Sequence, residues 1–398
     1  MKLNPIVEHF GDSQDWYKYT MGNAILRKFP DVWVKWKFKC RNPGIIWTKE
    51  MVQEINEQLD HLCTLSPDEQ EVAFVRGIKY ISKGYADFLM MLRLPRHLIR
   101  VRLDGTDLEI SCEGPWFITT YFEIPTLAIV NEVYFQFTVP EEKKAEILKG
   151  ADERLTEKIE QAKFHPGFTF TDFGTRRRFS KAWQEHVIQR LKAELPGTFN
   201  GTSNPYFAMK YDLTPIGTVA HEWYMVGQGI EGVTLANSQK YMLQAWSDVY
   251  RGDLGTALTD TLGNDKFIED FDKYFALLYS GLRHDSGDPY DWGELMIDHY
   301  LDLGIDPKTK TLVFSDGLTI LKAIDLWKHF KDRVRVSTSG IGTSLTNDIP
   351  ECVPLNIVMK IIMVNGNPVA KVSNNPSKGM CEDPEFEAYL KKVIKLKV

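Results

Sequence analysis

Phe168-Thr169-Phe170-Thr171-Asp172-Phe173-Gly174-Thr175-Arg176-Arg177-Arg178-Phe179-Ser180 is the stretch on which the reading of this chain turns. An apolar, β-branched run stops abruptly at an acid, an aromatic ring, a glycine and three arginines. The pattern recurs at Gly201-Thr202-Ser203-Asn204 and at Gly217-Thr218-Val219-Ala220-His221-Glu222-Trp223. A core has no need of charge and glycine at its strand ends; a polar ligand does. Between the first two runs, Phe179, Ala182, Trp183, Val187, Ile188, Leu191 and Leu195 fall on one face at helical spacing. The unit is a strand, a polar end and a helix.

The same unit continues outward, with apolar runs ending at Asp260, His284, Ser315 and Ser339. Seven strand-like runs with their chemistry at the C-terminal end predict a parallel β/α barrel whose mouth collects strand ends. An open doubly wound sheet draws on fewer strands, at one switch point. The interval from Thr202 to His221, with His221 read at a strand end, is too short for a full helix and return, so the barrel is expected to be irregular. Before it, residues 15–29 have helical character and residues 32–40 alternate apolar and basic, as a half-exposed strand does. Ser66-Pro67-Asp68-Glu69 starts a helix with Ser66 as cap, residues 108–112 read as a strand, and Pro140 opens a charged helix. Late in the chain, residues 355–364 form a strand, and Asn365-Gly366 turns it into a hairpin. The expected division is 1–130, 131–350 for the barrel, and 351–398 for strands and a helix that return to the first domain.

Composition narrows the function. At 398 residues, 43% hydrophobic and 26% charged, the chain is an ordinary globular protein of about two domains. A net charge of −6 with no basic tract beyond Arg176-Arg177-Arg178 argues against nucleic acid as a partner. Five scattered cysteines without a Cys-x-x-Cys pair argue against a disulfide framework or zinc ribbon, and for a reducing compartment. No run approaches the roughly 20 apolar residues of a membrane span, and no signal peptide is visible. The expected location is cytoplasmic and the expected partners are small molecules.

Two constellations carry most of the chemistry. Arg283-His284-Asp285-Ser286-Gly287-Asp288-Pro289 packs a cation, an imidazole and two carboxylates around a turn. Asp285 and Asp316 could share a Mg2+ ion with a phosphorylated ligand, and Asp260 is a third candidate. Ser315-Asp316-Gly317 and Ser339-Gly340-Ile341-Gly342-Thr343 are strands that run into small residues, where backbone N–H groups can wrap a phosphate. Phe173 could stack on a flat ring with Arg176 beside it to meet an anion. His221 is a candidate nucleophile or base.

Together with Tyr17-Lys18-x-x-Met21 and Pro368-Val369-Ala370-Lys371, these motifs occur in the order found in nicotinate phosphoribosyltransferases, which the chain resembles over nearly its whole length. The resemblance implies a type II phosphoribosyltransferase fold, an irregular α/β barrel beside an N-terminal α/β sandwich. It implies that nicotinate and phosphoribosyl pyrophosphate give nicotinate mononucleotide and pyrophosphate, coupled to ATP hydrolysis with Mg2+, in NAD salvage. It further implies that His221 is phosphorylated by ATP and that Tyr17 and Phe173 sandwich the pyridine ring. Arg176 and Arg283 would face its carboxylate or the ribosyl phosphates. Asp260, Asp285 and Asp316 would engage ribose, magnesium or pyrophosphate, with Gly317, Gly342 and Thr343 at the phosphate. A homodimer is compatible with the family. Ser339 and Ser344 depart from the family pattern around the last phosphate loop, and Gln14 departs before Asp15.

Three rivals make different predictions. The nicotinamide enzyme of the same superfamily carries an aspartate where Ser203 stands; a serine with nearby arginines suits an acid. A metal-dependent barrel hydrolase built on His221, His284, Asp260, Asp285 and Asp316 predicts a tightly held transition metal, which metal analysis of the purified protein would show or exclude. A non-catalytic nucleotide-binding regulator predicts binding without turnover.

Overall fold

The computed structural model describes residues 3–373, 375 and 378–395. Its strands, in chain order, are β1 (Trp33–Cys40), β2 (Ile99–Asp104), β3 (Asp107–Pro115), β4 (Phe170–Asp172), β5 (Phe199–Thr202), β6 (Thr214–Pro215), β7 (Arg251–Leu254), β8 (Thr256–Leu258), β9 (Gly281–His284), β10 (Thr311–Phe314), β11 (Val336–Ile341), β12 (Ile357–Val364) and β13 (Asn367–Pro368). All of them but β7 fall in two sheets. One is antiparallel, in the order β13-β12-β1-β3-β2, and the other runs β6-β5-β4-β11-β10-β9-β8 with every pairing parallel.

The second sheet is the barrel, and it is irregular for a local reason. The link from β5 to β6 holds only the six-residue helix Pro205–Lys210, and β6 ends after two residues at Pro215, which has no N–H to extend a ladder. Among the described residues no ladder joins β6 to β8. Instead the Thr218 hydroxyl donates to the Thr256 carbonyl at 3.1 Å across the gap. His221 is therefore not at a strand end, as expected, but is the first residue of the helix His221–Val226.

The first sheet joins both ends of the chain. β1 pairs with β3 on one side and with β12 on the other, and its Val34, Trp36 and Phe38 are buried while the alternate lysines are not. Asn365, at φ 49°, and Gly366, at φ 82°, make the hairpin turn that the sequence signals. The final helix, Pro384–Val393, packs through Leu390 against Leu262, Ala370 and Val372, beside the end of β8. One smaller expectation shifts: Asp68, not Ser66, caps the helix Glu69–Gly77, because Asp68 and Glu71 form a reciprocal capping box.

Aromatic rings fill the seam between the sheets. Trp16, Trp116, Trp223 and Trp246 are all buried, with ring centroids 5.7 Å apart for Trp116–Trp223 and 5.2 Å for Trp223–Trp246. A polar island lies within this layer. The Lys18 ammonium, on the helix Trp16–Lys28, is bound by Glu123 at 2.6 Å and by Glu222. Glu222 also accepts from Trp116 Nε1 at 3.1 Å and from the Thr120 hydroxyl at 2.7 Å. No helix of the described residues is long and apolar enough to cross a membrane.

Candidate active site

The C-terminal ends of the parallel strands open into a cavity of about 880 Å³. β4 delivers Phe173, Arg176 and Arg177; β5, Ser203; β9, Asp285; β10, Ser315 to Gly317; β11, Gly342 and Thr343. Asp15 and Tyr17, at the start of the first long helix, close one side, and the antiparallel sheet closes another with Lys39, Arg41, Val358 and Lys360. A single chain thus supplies both Tyr17 and Phe173 to the cavity.

Two glycines let these residues approach closely, one under the Phe173 ring and one against the Tyr17 backbone. A Cβ on Gly340 would lie 2.2 Å from Phe173 Cδ2 and Cε2, and one on Gly217 would lie 2.9 Å from the Tyr17 nitrogen. Gly317 has φ 56°, a left-handed turn that favours glycine at the end of β10. Asp172, which opened the reading of the chain, does not reach the cavity. It is fully buried and holds the β4–β5 corner together by accepting from Gly174 N at 2.8 Å, Gln184 at 2.9 Å and Thr202 at 2.8 Å.

His221 lines the cavity with Asp285. Its Nε2 lies 2.9 Å from Asp285 Oδ2 and 2.8 Å from Lys371 Nζ, and its Nδ1 lies 3.0 Å from the Thr261 hydroxyl. Burial, reinforced by the Lys371 charge, pushes the imidazole down to about 4, so it is neutral and nucleophilic near pH 7. Asp285 is held well below the usual carboxylate range by the His221 bond and by Lys371, which outweigh its burial. Asp260, expected to be catalytic, is 1% exposed and stands behind this pair, bound to Lys371 at 3.1 Å and to the Ser286 hydroxyl at 2.6 Å.

The ligand atoms of His221, Asp260 and Asp285 lie within 4.8 Å of one another, a spacing that could suit a metal ion. Lys371 already puts its ammonium among all three. His284 is elsewhere, buried beside Trp292 at 5.3 Å, so the structure does not bring together all five side chains of the hydrolase reading. Asp316 does line the cavity, paired with Lys378, whose ammonium also donates to the Asp285 carbonyl at 2.6 Å.

The sequence reading missed most of the cations. Ten lysine and arginine side chains line the cavity against four aspartates, in a protein of net charge −6. Several have no carboxylate to match. Burial first, then the neighbouring Arg176 and Arg41, pushes Arg177 down to about 9. Burial, then Lys371 and Arg41, holds Lys360 well below the usual lysine range. Arg177 is tied to the Ile357 carbonyl at 2.8 Å. Arg176 makes no hydrogen bond among the described residues, and its charge is turned to the cavity. Such a surplus suits a ligand with several phosphate charges. The one available signal was the basic face of β1, which reads equally well as a solvated edge. Of the two departures around the last phosphate loop, Ser339 is buried within β11, off the cavity wall. Ser344 lines the cavity and ties its loop to the Leu318 carbonyl at 2.6 Å.

Residues 168–397 match the nicotinate phosphoribosyltransferase (NAPRTase) family, and residues 13–131 match its N-terminal domain. The chain belongs to the nicotinate phosphoribosyltransferase family. A nicotinate phosphoribosyltransferase of Chromobacterium violaceum is 46% identical, with 99% of this chain and 98% of that one covered. One of Acinetobacter baumannii is 44% identical over 99% of this chain and 98% of its own. Crystal structures of nicotinate phosphoribosyltransferases superimpose with TM-scores of 0.92 for Porphyromonas gingivalis (32% identity, 98% and 100% covered) and 0.90 for Vibrio cholerae (37%, 99% and 95%). The irregular barrel and the N-terminal sheet are thus a nicotinate phosphoribosyltransferase fold.

Proposed function

We propose that the protein joins nicotinate to phosphoribosyl pyrophosphate, giving nicotinate mononucleotide and pyrophosphate in NAD salvage, and drives the reaction with ATP. The observation that carries this reading is the pairing of Tyr17 and Phe173 with a strongly cationic cavity. It suits a flat ring bearing an acid and a partner with several phosphate charges. The pyridine nitrogen attacks ribose C1 with its own lone pair as the C1–O bond to pyrophosphate breaks, so no general base is needed. The chain's task is to align the two reactants and stabilise charge. Positive charge developing on the ribose faces Asp285 and Asp316, and the departing pyrophosphate faces the lysines and arginines.

Asp285 and Asp316 offer hard carboxylate oxygens at the cavity wall, the donor type Mg2+ takes. Each is already matched by a lysine, which fits an ion held mainly by substrate oxygens and water. When bound, Mg2+ neutralises charge on the pyrophosphate. ATP is read as the donor of a phosphoryl group to His221: a ring nitrogen attacks the γ-phosphorus, the bond to ADP breaks, and the ring's proton leaves to Asp285 or water.

The test is a product assay with nicotinate and with nicotinamide, each with phosphoribosyl pyrophosphate, with and without ATP. Nicotinate mononucleotide, increased by ATP, is expected; its absence in every condition overturns the reading. Gly340→Ala probes the aromatic slot. Its methyl group must displace Phe173, at a cost of about 1–3 kcal/mol typical of overpacking. The KM for nicotinate should rise about tenfold, while that for phosphoribosyl pyrophosphate changes little.

A further inference from the structure

Ser203 stands where acid and amide are told apart, yet its hydroxyl proton is already committed. Ser203 Oγ donates to Asp15 Oδ1 at 2.6 Å, both residues are 3% exposed, and both line the cavity. The main chains lock the pair together, since Trp16 N–H donates to the Ser203 carbonyl at 2.5 Å. A hydroxyl has one proton and two lone pairs. While Asp15 is ionised, Ser203 can only accept from a ligand. That state suits a carboxamide N–H and opposes a carboxylate, the reverse of what an acid-specific site requires.

Resting on the function proposed above, we propose that Asp15 takes up one proton from solvent when nicotinate binds and thereby sets the choice of acid over amide. Protonated Asp15 donates to Ser203 Oγ, which frees the serine O–H to donate to the nicotinate carboxylate. Ionised Asp15 reverses the chain and leaves an acceptor for nicotinamide. The surroundings make that proton easier to take up than it is for a free carboxylate. Burial pushes the Asp15 carboxyl up to about 6, with Asp172 and Glu123 adding to the rise and Arg176 and the Ser203 bond opposing it. Tyr17 beside it is held well above the usual phenol range by burial, then by Glu123 and Asp15, and stays neutral. A ligand carboxylate adds another negative charge and raises Asp15 further.

The measurement is kcat/KM for nicotinate divided by that for nicotinamide, the amide read as substrate or as competitive inhibitor, from pH 6 to pH 9. Effects on the other substrates cancel in the ratio. It should fall by about tenfold per pH unit once solvent no longer supplies the proton. Asp15→Asn, whose amide is a permanent donor to Ser203, should flatten the profile with the acid still preferred, and Ser203→Ala should flatten it with that preference reduced. A flat wild-type ratio overturns the relay. A sloping ratio that persists in Asp15→Asn overturns the assignment to Asp15. Absence of any nicotinate turnover is a different failure, and it strikes the proposed function instead.

Discussion

His221→Ala should lose all labelling by [γ-32P]ATP and reduce turnover to the rate seen without ATP. The imidazole is a neutral nitrogen nucleophile lining the cavity beside a carboxylate kept ionised, Asp285 at 2.9 Å. The wild-type label should be lost in acid and survive base, as a phosphoramidate does. Because His221 is pushed down to about 4, its neutral form is already dominant at pH 6. Labelling should therefore hold steady from pH 6 to 8 and fail only as the pH approaches 4. A variant that keeps its ATP-stimulated rate removes His221 from the mechanism.

Lys18→Met should destabilise the protein by about 3–5 kcal/mol, the cost of removing one partner from a buried ionic cluster. Lys18 and Glu222 are both buried, and each is held by a partner of opposite charge. Without the ammonium, Glu123 and Glu222 face each other uncompensated in a layer of tryptophans. The signature lies in its pH dependence. Burial pushes the Glu222 carboxyl up even with Lys18 present, and losing the ammonium raises it more. Acid then supplies a proton where the lysine was, so the gap in urea midpoint between wild type and variant should narrow from pH 8 to pH 5. A gap that is constant with pH would mean that lost packing, not stranded charge, is the cause.

The barrel was legible because each parallel strand is an apolar run that stops at a polar group, and that alternation survives in one dimension. Phe173, Arg176, Ser203 and Asp285 all come from such stops and share one cavity with His221. Asp172 shows the limit of the signal: it carries the same mark, but Gln184 and Thr202 draw it inward. The place of Lys371 and Lys360 at the cavity was illegible for the opposite reason. They sit in or just after the C-terminal hairpin, where a lone lysine is an ordinary surface residue. Only the pairing of β12 with β1 carries them over the barrel mouth. The helical start of His221–Val226 was hidden by the shortness of β6, since two residues make no pattern.

That pairing of β1 with β12 also bears on how the protein is made. Val34 is partnered by Val364 and Cys40 by Ile357, so β1 leaves the ribosome more than three hundred residues before one of its neighbours exists. Until then it has an unpaired edge of valine, tryptophan and phenylalanine, the kind of edge that recruits other chains. Contacts so distant in sequence also form slowly. A nascent chain stalled before residue 357 has a barrel without its cationic roof and a sheet with a raw side. Expression yield should therefore depend more on chaperone supply than on the stability of the finished fold.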